Sequence, residues 1–132
     1  MRLLIFVLLM GFYLIVGENV DGSFIWERIP IAASESAEGL ARTAFEYFFR
    51  YGSYGVPDNV EVLGVSLTDG LLVLDVCEAI LDYNGSAFEV ALLAQLVKVA
   101  SAIPFVERLT LKINGIPQTL AKGTEVYAML IP

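Results

Sequence analysis

Residues 86–103, SAFEVALLAQLVKVASAI, constrain the fold more than any other stretch, because they read as a helix with too little polar surface for the outside of a small domain. Beyond Glu89 the strongly polar side chains are Gln95 and Lys98, and Ile103-Pro104 closes the segment. Ser86 and Glu89 have the spacing of a capping box, in which each side chain satisfies an orphan backbone donor at the helix start. At about 100° per residue, Phe88, Leu92, Leu96, Val99 and Ile103 share one side and are expected to face a sheet. Val90, Leu93 and Val97 cluster on nearly the opposite side, with Ala94 and Ser101 beside them. A surface helix ordinarily buries one apolar stripe. Two covers are open for the second: the other helix of the fold, or another protein.

The rest of the chain supplies the sheet. Residues 60–76, VEVLGVSLTDGLLVLDV, read as two strands joined at Asp69-Gly70, a pair suited to a type I′ turn because both central residues need positive φ. In the first strand Val60 and Val62 share one face and Leu63, Val65 and Leu67 the other, so a β-bulge is expected beside Gly64. The second strand is apolar until Asp75, as a central strand is. Residues 106–115, VERLTLKING, alternate Leu109, Leu111 and Ile113 with Arg108, Thr110 and Lys112, then end in an Asn-Gly turn.

Upstream, residues 34–51 (SESAEGLARTAFEYFFRY) repeat apolar side chains at steps of three and four, and Ser34 is the expected cap. The other face carries Glu38, Arg42, Glu46 and Arg50, alternating in sign, which marks a solvated face. Residues 24–33 (FIWERIPIAA) are β-prone with weak alternation and suit an edge strand ended by Pro30. The tail 123–132 (GTEVYAMLIP) has β-like composition and no evident place. The order predicts an α/β (α+β) domain, β-α-β-β-α-β, folded as a two-layer sandwich with two helices on one face of a three- to four-stranded sheet.

The N-terminus, MRLLIFVLLMGFYLIVGENVDG, places Arg2 before a 14-residue apolar run from Leu3 to Val16. That run is short against the roughly 20 residues of a membrane span and fits the core of a signal peptide. Val20 and Gly22 suit cleavage before Ser23; an uncleaved anchor and a buried N-terminal helix are the other readings. The expected division is therefore a signal peptide or membrane anchor over 1–22 and a domain over 23–132, with an extracytoplasmic location. A net charge of −7 opposes binding to nucleic acid and leaves membrane contact to the N-terminal segment.

Chemistry has little to build on. The chain has no histidine, and Cys77 is its one cysteine, so neither a disulfide within the chain nor a thiolate metal site is expected. Asp75, Glu78 and Asp82 lack the alternate spacing and glycine of a calcium loop. YNGSAF (83–88) and YGSYG (51–55) lack a P-loop lysine and read as turns. No catalytic residue, metal or cofactor is assigned. The candidate site is the apolar face Val90, Leu93, Ala94 and Val97, taking a protein partner or a second copy. The aromatic residues Phe45, Tyr47, Phe48, Phe49, Tyr51 and Tyr54 keep a glycan or peptide pocket open as an alternative. A carboxylate-dependent hydrolase is the more distant one, needing two carboxylates across a cleft.

From about Phe24 to Leu120 the chain resembles the GerMN domain of sporulation and spore-germination proteins. The resemblance rests on GVPDNVEVLGVSLTDGLLVLDV, the YNGSA turn, the following helix and PFVERLTLKINGIPQTL. Val73, Leu74 and Asp75 stand at the end of the second hairpin strand, and Val106, Leu109, Leu111, Ile113, Asn114 and Gly115 fit the closing strand and turn. The resemblance implies an exported, non-catalytic envelope protein of endospore formation or germination, with a fold similar to ring-building modules of secretion systems. It carries over no catalytic residue. The lipobox cysteine of many relatives is absent, and the chain holds one copy of the domain.

Overall fold

The computed structural model describes residues 11–30 and 36–132. Its elements run β1 (Gly11–Glu18), β2 (Phe24–Pro30), α1 (Ala37–Tyr51), β3 (Val62–Thr68), β4 (Leu71–Val76), a 3-10 turn (Glu78–Leu81), α2 (Ser86–Ser101), β5 (Arg108–Ile113), β6 (Ile116–Pro117) and β7 (Met129–Leu130). The predicted order is intact from β2 to β5. The predicted single sheet is two: β2 pairs with β1 in a separate hairpin, and the main sheet has five strands in the order β3-β4-β5-β6, with β7 also on β5.

The main sheet follows from its turns and its alternation. Asp69 and Gly70 take φ of 51° and 81°, closing the β3–β4 hairpin as the type I′ turn requires. The β3–β4 register slips between Val62 and Gly64. This bulge leaves Leu63 exposed and turns Val62, Val65 and Leu67 all toward the core. β4 then crosses through α2 to a parallel partner, β5, in register from Leu71↔Arg108 to Val76↔Ile113. Leu72, Leu74 and Val76 of β4 and Leu109, Leu111 and Ile113 of β5 are all buried, on the face that both helices cover.

Helix α1 buries Leu40, Ala41, Ala44, Phe45, Phe48 and Phe49. The cap expected at Ser34 lies outside the described residues; Ser36 is the cap seen, its Oγ accepting from the Gly39 N–H at 3.0 Å. The charged face of α1 is not wholly given to solvent. Glu38 Oε2 accepts from the Leu67 N–H at 3.0 Å, and Arg42 Nη2 donates to the Val62 carbonyl at 3.4 Å. Both groups lie on the outer edge of β3, where unpaired backbone would invite another strand.

The boundary expected at residue 22 falls between β1 and β2. Residues 1–10 lie outside the described residues, but Gly11–Glu18 forms a strand paired antiparallel with β2 from Gly11↔Pro30 to Glu18↔Phe24. Phe12, Leu14 and Ile15 are buried. The apolar run that fits a leader core also supplies, from residue 11 onward, a strand with Phe12, Leu14 and Ile15 buried and Tyr13 and Val16 exposed, and composition does not separate the two readings. The C-terminal tail finds its place beside β5. Leu109 pairs with Met129 and Arg108 with Leu130, while the Leu111 N–H donates to the Val126 carbonyl at 2.8 Å.

Candidate interaction face

The second stripe of α2 forms the floor of a shallow trough of about 570 Å³. Val90 is 58% exposed, whereas Leu93, Ala94 and Val97 are half-buried. Trp26 of β2 and Pro132 supply walls from outside the helix, and Lys98 and Ser101 also line it. Helix α1 contributes none of these lining residues. Lys98 holds the Trp26 wall: its Nζ sits 5.5 Å from the Trp26 ring and 5.9 Å from that of Tyr13.

The hairpin is fixed to α2 by Gln95, one of the few polar side chains in the helix and fully buried. Gln95 Oε1 accepts from the Ile15 N–H at 2.9 Å, and its Nε2 donates to the carbonyls of Tyr54 at 2.7 Å and Ala91 at 3.1 Å. A single side chain thereby joins β1, α2 and the loop after α1.

Two expectations at the start of α2 fail. The N-cap is Gly85, with no side-chain cap bond, so Ser86 and Glu89 do not form a capping box. Glu89 instead turns inward, 3% exposed, and gathers donors from distant parts of the chain. Its Oε1 accepts from the Tyr83 hydroxyl and from the Lys122 N–H at 2.6 Å. Its Oε2 accepts from the Thr124 N–H at 3.1 Å and the Thr124 hydroxyl at 2.5 Å. Burial alone would raise the Glu89 pKa, but these four bonds outweigh it and hold the carboxyl below its ordinary value. Burial first, and the Glu89 carboxylate second, push Tyr83 upward. Phe88, expected to face the sheet with Leu92, Leu96, Val99 and Ile103, is instead 41% exposed, its ring 6.1 Å from that of Tyr54. The loop after α1 occupies the inner position: a Cβ on Gly55 would lie 3.0 Å from Ala91 Cβ and 3.1 Å from the Phe88 carbonyl.

The other candidate residues are engaged locally. Asp75 Oδ1 accepts from the Gly115 N–H at 2.8 Å, tying the end of β4 to the Asn114-Gly115 turn. Glu78 lies in the 3-10 turn, and Asp82 ends it. Cys77 Sγ accepts from the Glu61 N–H at 3.2 Å and meets the Asn59 carbonyl at 3.5 Å. Among the described residues, no group of three or more His, Cys, Asp or Glu side chains is placed to hold a metal ion. The aromatic series splits: Phe45, Phe48 and Phe49 are buried in the core, while Tyr47 and Tyr51 pack on each other at 4.5 Å near the surface. Among the described residues, no helix is long and apolar enough to cross a membrane.

Two helices on one face of a mixed sheet, with an N-terminal hairpin braced on α2, define a small two-layer α+β domain. The chain belongs to the Germane family, described as sporulation and spore germination, which matches residues 13–119. Among solved structures it is similar to the first GerMN domain of the sporulation protein GerM from Bacillus subtilis, at 18% identity and a TM-score of 0.60, covering 92% of this chain and 96% of that one. It aligns equally with the tandem GerMN domains of the same protein, covering 45% of that longer chain. A protein from Clostridium perfringens described as a candidate lipoprotein matches at 10% identity and a TM-score of 0.59, covering 89% of this chain and 82% of that one. Among curated proteins, none matches the chain. The family match begins inside β1, at residue 13.

Proposed function

We propose that this chain is a non-catalytic protein-interaction module of endospore formation or germination, working in the cell envelope outside the cytoplasm. Membership of the Germane family supports the process. The apolar N-terminal residues and the likeness to a candidate lipoprotein support the location. The trough on α2 carries the interaction itself. Val90 stands largely exposed above the half-buried Leu93, Ala94 and Val97, between walls built from other elements. Apolar area held open in this way gains about 25 cal/mol per Å² when a partner covers it.

The test is Val90→Asp in the full chain, expressed at wild-type abundance in a spore-forming host that lacks its own copy. Heat-resistant spores or germination fall at least several-fold if the face is used. Wild-type counts from a folded Val90→Asp protein would sink the reading. Val90 is the better probe than Leu93, because Leu93 also packs against the core and its substitution confounds folding with binding. Light scattering on the purified full chain then separates self-association from a partner of another kind.

A further inference from the structure

The C-terminal residues lie on the sheet as a strap, and one residue of another element holds them there. Leu120 and Val126 plug into the core, 1% and 2% exposed. Between them the backbone N–H groups of Lys122 and Thr124 both donate to Glu89, as does the Thr124 hydroxyl. The Ala121 N–H donates to the Tyr83 hydroxyl at 3.1 Å, and that hydroxyl in turn donates to Glu89. Beyond Val126 the strap is held more lightly. It runs along the outer edge of β5 through the Leu111 N–H to the Val126 carbonyl, the Ala128 N–H to Thr110 Oγ1 at 2.8 Å, and the Ile131 N–H to the Glu107 carbonyl at 2.9 Å. Its regular strand is two residues long, and Tyr127 and Leu130 are 64% and 71% exposed. Along residues 127–131, few buried contacts and exposed backbone bonds mark the end that opens first, with Glu89 and the Leu120 and Val126 plugs holding the part behind it.

We propose that residues 120–131 are a detachable edge strand latched by Glu89, and that the β5 edge beneath them is a docking surface for the same segment of a second copy. The occupant follows from what already sits there: this segment fits the edge, through backbone bonds to Glu107 and Leu111 and through the Val126 plug. Exchange between two copies keeps every one of those contacts and changes only the connecting segment, so it is set by concentration and by the latch. The strap ends at Pro132, which lines the α2 trough, so its release removes one wall of that trough; the backbone bonds and plugs argued here do not involve Val90, Leu93, Ala94 or Val97.

The experiment compares the full chain as wild type, Glu89→Gln and Thr124→Val, by backbone hydrogen exchange and by sedimentation, with a labelled synthetic peptide of residues 119–132 added in trans. The reporters are the Leu111 and Ile131 amides, which bond across the strap and do not touch Glu89. Loss of a charged hydrogen bond accelerates their exchange about tenfold in Glu89→Gln, with a smaller acceleration in Thr124→Val, while the amides of β4 keep their wild-type rates. Glu89→Gln then dimerises as concentration rises, and the peptide both binds it and competes with dimerisation; the wild type does neither at the same concentrations. Equal acceleration throughout the sheet would overturn the latch, leaving Glu89 a general stabiliser. Local opening with a strictly monomeric variant that ignores the peptide would overturn the docking surface. If Glu89→Gln does not fold, Thr124→Val carries the same comparison, since it removes one hydroxyl bond and keeps the carboxylate.

Discussion

Glu89 shows how much a residue's role depends on what distant chain brings to it. Its position three residues after Ser86 gives the local signal of a capping box, worth about 0.5–2 kcal/mol at an exposed helix start. The fold instead offers it four donors from Tyr83, Lys122 and Thr124, and that set wins. No local pattern could have shown this, because two of those partners lie more than thirty residues away. Replacing Glu89 with alanine strands those donors in a buried place, so we expect a loss of about 3 kcal/mol, read as a lowered urea midpoint with unchanged slope. The pH dependence has a definite sign. The folded Glu89 pKa lies below the unfolded value of about 4.3. Its contribution is therefore complete above that value and is lost as pH falls through the folded pKa. Tyr83 works the other way: its folded pKa is raised, so its contribution holds below the unfolded value of about 10 and is lost as pH rises above it. Tyr83→Phe should flatten the alkaline limb of a stability profile and, by removing one of the four donors that lower the Glu89 pKa, reduce the acid limb without abolishing it; an unchanged alkaline limb would refute the assignment.

At the scale of elements, legibility tracked locality. The Asp69-Gly70 hairpin, the bulge beside Gly64 and the apolar face of α1 are set by neighbouring residues, and each could be read from them. β1 and β7 could not. The pairing of Leu109 with Met129 spans twenty residues with no periodic cue, and the run holding β1 has the composition of a leader as well as of a covered strand. The hairpin's contribution can be measured. A chain lacking residues 1–22 loses the burial of Phe12, Leu14 and Ile15 and leaves Gln95 Oε1 without its donor. At about 1.5–3 kcal/mol per side chain, the loss is on the order of 5 kcal/mol. Gln95→Leu tests the brace alone, leaving the Ile15 N–H and the Tyr54 carbonyl without their partner; we expect about 1–3 kcal/mol from thermal or urea unfolding. A Gln95→Leu protein as stable as the wild type would mean that the hairpin is held by apolar packing and not by this bond set.

For the molecule as a whole, both long edges of the main sheet carry something. Glu38 and Arg42 of α1 engage the edge of β3, and the strap lies along β5. Strand-to-strand association in the closed state is thereby blunted, and the route left open is through a face. The α2 trough is such a face, on a protein whose net charge is −7. Two copies meeting through it bring like charges together and gain from apolar burial, and of these two terms salt screens the first. Added salt shortens the screening length from about 30 Å at 0.01 M to about 10 Å at 0.1 M, weakening the repulsion and leaving the burial term in place. If the face joins copies of this chain, light scattering should show association strengthening between those two salt concentrations, and Val90→Asp should remove it at both. Association that weakens with salt would mean that ion pairs hold the contact, and the trough would then be the wrong surface for self-association. A wild type that stays monomeric across the range, together with a functional defect in Val90→Asp, would assign the trough to a different protein.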